Sequence, residues 1–319
     1  MDDETRLQVR RHSRAVLSRK SGTFDWAALL LASPLRDDAA VVYAFCRTVD
    51  DVADESESRA RAETALEAIR DELDGVRRPR PLIAEFRRLC DRHGISLAYP
   101  RELVRGVRSD LGRVRMENDR DLLRYCYRVA GTVGLMMSPL LGVDTTSAHP
   151  HAIDLGVGMQ LTNICRDVLE DARRNRVYLP ASRLADAGVD TRALLEGRAD
   201  RSALANVVEN LLDLADRYYR SGRSGLRYLA MGPRVAIDAA ARLYHGIGDR
   251  LRELQCDPLS ARAALGRLRK LGRMARGIVS ALNPLTDRGS AEHRGELHAA
   301  LDGLPGAAPS GRAVEPHHP

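Results

Sequence analysis

Aromatic residues are scarce in this chain, 4% of 319, with three phenylalanines and a single tryptophan. Sandwiches and barrels lean on aromatic and β-branched side chains, so the scarcity argues against them, while the abundance of Ala, Leu, Arg and Glu favours helices. Lysine is nearly missing, with Lys20 and Lys270 the only two. The net charge of +6 is therefore almost all arginine, whose planar guanidinium suits phosphate, although a GC-rich coding sequence raises arginine equally well. No helix-turn-helix, zinc finger or aromatic RNA-binding motif accompanies that charge, so nucleic acid is not an expected partner. The cysteines, Cys46, Cys90, Cys126, Cys165 and Cys256, are odd in number and contain no C-x-x-C pair. That excludes a disulfide framework and fits buried, inert thiols in a reducing cytoplasm.

Long apolar runs are also missing. The most apolar stretch, Val129 to Val143, is broken by Gly, Thr, Ser and Pro and falls short of the ~20 residues that span a bilayer. The first twenty residues alternate in charge and hold no apolar core of a secretory signal. A cytoplasmic protein is expected, with peripheral contact at the inner membrane allowed by basic stretches such as Arg267 to Lys270. The only Glu-x-x-His, Glu315 to His318, sits in a proline-rich end, which excludes a ferritin-like di-iron bundle.

What is present is helical periodicity. Apolar residues at three- and four-residue spacing predict helices near 8–20, 24–33, 37–54, 58–74, 80–93, 100–116, 119–142, 147–172, 200–229, 233–253 and 259–280. Breaks fall at Pro34, Pro79, Pro81, Pro100, Pro150, Pro180 and Pro233, none inside a stretch long enough to be a domain linker. The expectation is one all-α domain over residues 1–286 and a disordered tail over 287–319, where Gly, Ala, Pro, Ser and His take over.

Two of these helices carry the chemistry. In Tyr43 to Asp54, a rotation of roughly 100° per residue puts Tyr43, Arg47, Asp50 and Asp54 on one stripe with Asp51 beside it, while Val42, Phe45, Val49 and Val52 face elsewhere. In Gln160 to Asp171 the same rotation aligns Gln160, Asn163, Asp167 and Asp171. Hard oxygen donors in this density suit Mg²⁺ shared with phosphate oxygens, and Arg47, Arg166 and Arg176 could offset the remaining anionic charge. A single Asp pair at i, i+4 is more often a solvated face. Two such stripes, each opposite an apolar face and beside an arginine, make a metal-diphosphate clamp the stronger reading.

These segments resemble the two aspartate-rich motifs of the squalene and phytoene synthase family. The likeness rests on Gln160 to Ala172 followed by Arg176-Val177-Tyr178-Leu179-Pro180, and on Tyr125-Cys126-Tyr127-Arg128-Val129-Ala130-Gly131-Thr132-Val133-Gly134, and it runs from about Ser21 to about Lys270. It implies a helical isoprenoid-synthase domain around a central cavity with two prenyl diphosphate sites. Metal would be held by Asp50 and Asp54 on one side and by Asn163, Asp167 and Asp171 on the other, with Mg²⁺ the natural ion and Mn²⁺ able to replace it. Tyr43, Arg47, Gln160 and Arg166 resemble residues that contact diphosphate or position those carboxylates. Ser21 and Phe24 resemble a substrate pair at the cavity mouth, and Tyr125, Tyr178, Tyr244 and Arg262 correspond to positions near substrate. Around Arg262 the chain lacks the family's valine-rich pattern, Asn175 stands where glycine is common, and Cys165 where alanine or leucine is common.

The implied reaction is head-to-head condensation of two geranylgeranyl diphosphates through a cyclopropylcarbinyl diphosphate, prephytoene diphosphate, to 15-cis-phytoene, a step of carotenoid biosynthesis. Aromatic faces such as Phe24 or Phe45 could stabilise the carbocations. Gly131 and Gly134 would make room for a neighbouring helix or for an isoprenoid tail. Among the methionines, Met116 is expected in the core and one of Met136 or Met137 on the cavity wall, with Met159 a core filler. Alternatives stay open. Farnesyl diphosphate would give squalene, dehydrosqualene or presqualene diphosphate, with NADPH needed only for squalene. A class I terpene cyclase shares aspartate-rich helices. A non-catalytic helical adaptor would use the acidic stripes for solvent or a basic partner, whereas the enzyme reading needs no obligatory protein partner.

Overall fold

The structure is a computed structural model and describes residues 1–20, 27–257 and 293–307. The predicted substrate residues Ser21, Phe24 and Arg262, and the helix predicted over 259–280, lie outside the described residues. The described chain is almost wholly helical, as its composition predicts. Its helices are α1 (Asp3–Lys20), α2 (Ser33–Glu55), α3 (Arg59–Asp74), α4 (Pro81–His93), α5 (Ala98–Arg108), α6 (Asp119–Cys126), α7 (Thr132–Leu140), α8 (His149–Arg173), α9 (Ala181–Asp186), α10 (Thr191–Leu195), α11 (Arg201–Ser224) and α12 (Met231–Glu253).

Local chemistry sets several of these boundaries. The Ser58 side chain accepts from the Arg61 amide to start α3, and Gly75, at φ 78°, ends it where a side chain would be strained. Pro81 opens α4 at a position where its missing N–H costs nothing. Asp200 accepts from the Ala203 amide at 2.7 Å and starts α11.

The core is organised around α8. Ile153, Val157, Leu161, Ile164, Cys165 and Val168 are buried on it, facing Leu204, Val208, Leu211, Leu212 and Ala215 of α11 among others. Truncating a fully buried leucine such as Leu211 to alanine would cost about 2–5 kcal/mol. Small residues bring the backbones close. A Cβ on Gly134 would lie 2.2 Å from the Ala152 carbonyl oxygen, and one on Gly156 would lie 2.4 Å from that of Ala130. Helix packing thus accounts for Gly134, and Gly131 meets Tyr127 and Ile153 in the same way.

The helix predicted over 119–142 is interrupted. Tyr127–Gly131 winds as a π-helix between α6 and α7, a local widening that hydrophobic periodicity does not reveal. Also unforeseen are α9, α10 and a two-residue parallel bridge, Val114 with Arg176 and Arg115 with Val177. Asn175 precedes that bridge at φ 60°, the left-handed conformation that explains a glycine preference there and that asparagine tolerates.

The tail expectation needs correction for part of its length. Gly295–Leu301 forms a 3₁₀ helix, and Leu297, Leu301 and Leu304 are buried in the main core. Tyr218 Oη donates to the Leu297 carbonyl at 2.8 Å, Tyr127 Oη donates to the Pro305 carbonyl, and Arg124 Nη1 donates to the Ala300 and Asp302 carbonyls at 3.2 and 3.0 Å. The leucines at 297, 301 and 304 keep a helical spacing that the surrounding Gly, Pro and His composition obscures.

Candidate active site

The carboxylate stripes of α2 and α8 face one cavity of about 1210 Å³, a figure that includes the space at its open mouth. Asp50 and Tyr43 line it from α2, Gln160 and Asn163 from α8, and Tyr244 from α12. Away from this polar end the walls are apolar, built from Val133 and Met137 of α7, Met159 and Leu155 of α8, and Leu226 and Leu229 after α11. Met116 is in the core as expected and Met137 on the wall, whereas Met159 lines the cavity instead of filling the core.

Each stripe has a clamped part and an open part. On α2, Arg47 pairs with Asp51, and Asp54 accepts from Arg174 Nη1 and Arg176 Nη1, both at 2.9 Å. Arg176 follows α8, so this ion pair ties the end of one stripe to the other. Asp50 has no such clamp. Burial pushes its carboxyl up to about 7, opposed by Arg47 and reinforced by Asp110, Asp54 and Asp51. On α8, Arg166 Nε and Nη2 grip Asp167 at 2.8 and 2.5 Å. Asp171 is raised to about 7 by burial, with Asp167 adding to the effect and Arg176 opposing it.

Two buried polar atoms at the site lack hydrogen-bond partners among the described residues: Asn163 Oδ1, an acceptor, and Arg47 Nε, a donor. An orphaned oxygen beside two carboxyls that burial holds near neutrality is what a hard divalent cation would satisfy, and an orphaned guanidinium N–H suits an anion. Asn163 Nδ2 donates to Gln160 Oε1 at 3.3 Å, which leaves the amide oxygen as the open end.

Sequence reasoning missed Asp110. It follows α5 in a loop, is buried, and accepts from Tyr178 Oη at 2.7 Å and Tyr125 Oη at 3.0 Å. The two phenol rings stack at 4.7 Å. Burial raises Asp110 to about 6 against those hydrogen bonds and Arg176, and its charge acts on both Asp50 and Asp171, so it lies between the stripes. A lone aspartate after a helix has no periodic signal. Tyr125 and Tyr178 are thereby brought to the site through Asp110, and Tyr244 stands close enough to Arg166, Tyr43 and Asp167 to feel their charge.

Phe45 is not at the site. Its ring stacks on Phe86 at 3.9 Å inside the core, and the aromatic cavity-lining residues are Tyr43, Tyr228 and Tyr244. The five cysteines are free and buried, and burial pushes their thiols up, which keeps them inert. A second titratable cluster, Asp154 with His293 and His298, has residue types that could hold a metal. Each imidazole, however, meets a different carboxylate oxygen at hydrogen-bond distance, 2.8 and 2.9 Å.

The sequence model of the squalene/phytoene synthase family matches residues 17–269. The chain belongs to that family. Among relatives, it is 34% identical over 319 residues to a 15-cis-phytoene synthase of a Paracoccus species, covering 96% of this chain and 97% of that one. It is 38% identical over 279 residues to a phytoene synthase of Thermus thermophilus, covering 86% and 94%. The fold is similar to that of a crystallised dehydrosqualene synthase in complex with ligand, with a TM-score of 0.76, 26% identity and coverage of 86% and 96%. Squalene synthase from Alicyclobacillus acidocaldarius shares the family fold at TM-score 0.71 and 20% identity, with 81% of this chain and 98% of that one covered. No helix among the described residues is long and apolar enough to cross a membrane.

Proposed function

We propose that this chain is a prenyltransferase that condenses two geranylgeranyl diphosphates head to head, through prephytoene diphosphate, into 15-cis-phytoene. The observation that carries the reading is the meeting of Asp50 with Gln160 and Asn163 at the polar end of one apolar cavity. The phytoene synthases among its relatives support the twenty-carbon substrate. Asp50, Asp54, Asn163, Asp167 and Asp171 would hold Mg²⁺, or Mn²⁺ in its place, which when bound offsets diphosphate charge and eases departure of the diphosphate.

The chain's own groups do the rest. Arg47 offers its orphaned Nε–H to a diphosphate oxygen, and Arg166 and Arg176 keep positive charge beside the two stripes. The apolar walls exclude water from the allylic cation until the second prenyl chain attacks it. The ring faces of Tyr43, Tyr228 and Tyr244 are the aromatic surfaces available to stabilise positive charge in the cavity. Asp110 holds Tyr125 and Tyr178 in fixed orientations beneath the carboxylates.

Similarity to the dehydrosqualene synthase structure favours a second reading, in which farnesyl diphosphate is the substrate. One experiment decides between them. Purified protein is incubated with either diphosphate and Mg²⁺, with and without NADPH, and the hydrocarbon is identified by mass spectrometry. Phytoene from geranylgeranyl diphosphate without NADPH is the expected result; a thirty-carbon product alone, or no Mg²⁺-dependent diphosphate release, rejects the proposal.

A further inference from the structure

The cavity wall on α8 runs from Asn163 through Met159 and Leu155 to His151, a rise of about 18 Å at 1.5 Å per residue. The close approaches of Gly156 to Ala130 and of Gly134 to Ala152 run α7 antiparallel to α8. Ser138 and Leu141 therefore line the His151 end, away from the carboxylates. An isoprene unit adds about 5 Å of extended chain at standard bond lengths, so a fifteen-carbon tail anchored near Asn163 spans about 15 Å and a twenty-carbon tail about 20 Å. The shorter tail stops before His151, and the longer one meets it.

His151 is firmly built in. It is 3% exposed, with Nδ1 2.8 Å from the Ser221 carbonyl and 3.1 Å from Ser224 Oγ, and its ring lies 6.0 Å from that of Tyr228. A Cβ on Gly225 would lie 2.3 Å from His151 Cβ, so the segment after α11 presses directly against it. On another side the ring meets His293 edge-on at 5.4 Å. His293 Nε2 and His298 Nε2 address the two oxygens of Asp154, which is fully buried on α8 one turn from His151, and His298 Nδ1 lies 3.3 Å from the Ala307 carbonyl. A buried carboxylate without partners would be costly, so the two imidazoles are what make Asp154 tolerable there. Segment 293–307 is thereby fastened to α8 beside the far end of the cavity.

We propose that Asp154, His293 and His298 are positioning residues that fix His151 as an end stop for the prenyl chain, so that the C-terminal segment sets the preference for twenty carbons over fifteen. The proposal rests on the prenyl-diphosphate reading above but is tested apart from turnover. Farnesyl and geranylgeranyl S-thiolodiphosphates, analogues that resist ionisation, are titrated in Mg²⁺ into the full chain by calorimetry. The wild type is expected to bind the longer analogue about ten-fold more tightly. His298→Ala and Asp154→Asn should bring that ratio to within about two-fold, His298→Gln, which keeps a donor to Asp154, should restore it, and His151→Trp should invert it.

Circular dichroism checks each variant for folding, and if Asp154→Asn does not fold, His298→Ala carries the test. Equal binding of the two analogues by the wild type, or an unchanged ratio in folded His298→Ala, overturns the end stop. Length-selective binding without turnover of the natural diphosphates would sink the proposed reaction and leave the end stop standing, whereas turnover with equal binding sinks the end stop alone.

Discussion

The carboxylate stripes of α2 and α8 reach the same balance by different means. On α2 the clamps come from a neighbour on the same helix, Arg47 on Asp51, and from beyond α8, where Arg174 and Arg176 hold Asp54. On α8 the clamp is the adjacent residue, Arg166 on Asp167. Each stripe leaves one carboxyl, Asp50 or Asp171, that burial raises to about 7. Two open carboxyls on opposite sides, with the clamped ones holding the arginines that meet an anion, form a site poised for cation and diphosphate together. Neither helix alone would provide that.

The largest expected effect is from removing an open carboxylate. Asp50→Asn should lower kcat by about 10³-fold with the helical circular dichroism signal unchanged, and Asp171→Asn by a similar factor. A loss under about ten-fold at one of them would break the symmetry argued here. Next is Asn163→Ala, which removes the orphaned oxygen and should raise the Mg²⁺ concentration needed for half-maximal rate by about 10–100-fold, measured by Mg²⁺ titration at saturating substrate.

The pH dependence sharpens the same contrast. Protons compete with metal at Asp50 and Asp171, so Mg²⁺ affinity should weaken as pH falls below about 7, by up to about ten-fold per pH unit for each group. Stability without metal has the opposite sign. A carboxyl raised above its ordinary value binds more protons folded than unfolded, so its stabilising contribution is present at low pH and lost as pH rises through about 7. The Tm of the metal-free protein should therefore fall between about pH 5 and 8, and Asp50→Asn should flatten that slope. The smallest effect is Tyr178→Phe, which removes one of two hydrogen bonds to Asp110 and should cost about 1 kcal/mol in denaturant unfolding.

Much of this was legible in the residues because it is periodic. The long helices, both stripes and the break at each proline follow from spacing that a helix converts directly into faces. Asp110 was not legible, because its role depends on a loop being folded between two helices distant in sequence. The C-terminal leucines carried a helical spacing, but His293 and His298 gain meaning only from Asp154, more than a hundred residues earlier. The clamping of Asp54 by Arg174 and Arg176 was likewise invisible, since it requires the turn at Asn175 and the bridge to Val114.

The π-helical turn at Tyr127–Gly131 makes the cavity wall intolerant of small changes in chain length. Removing one residue there would let α6 and α7 join as ordinary α-helix and rotate everything beyond by about 100°. Val133 and Met137 would swing away from the prenyl chain, and Gly134 would no longer meet the Ala152 carbonyl. Substitutions in this turn leave the frame intact, but a single-residue deletion would misalign the whole lining of α7 at once.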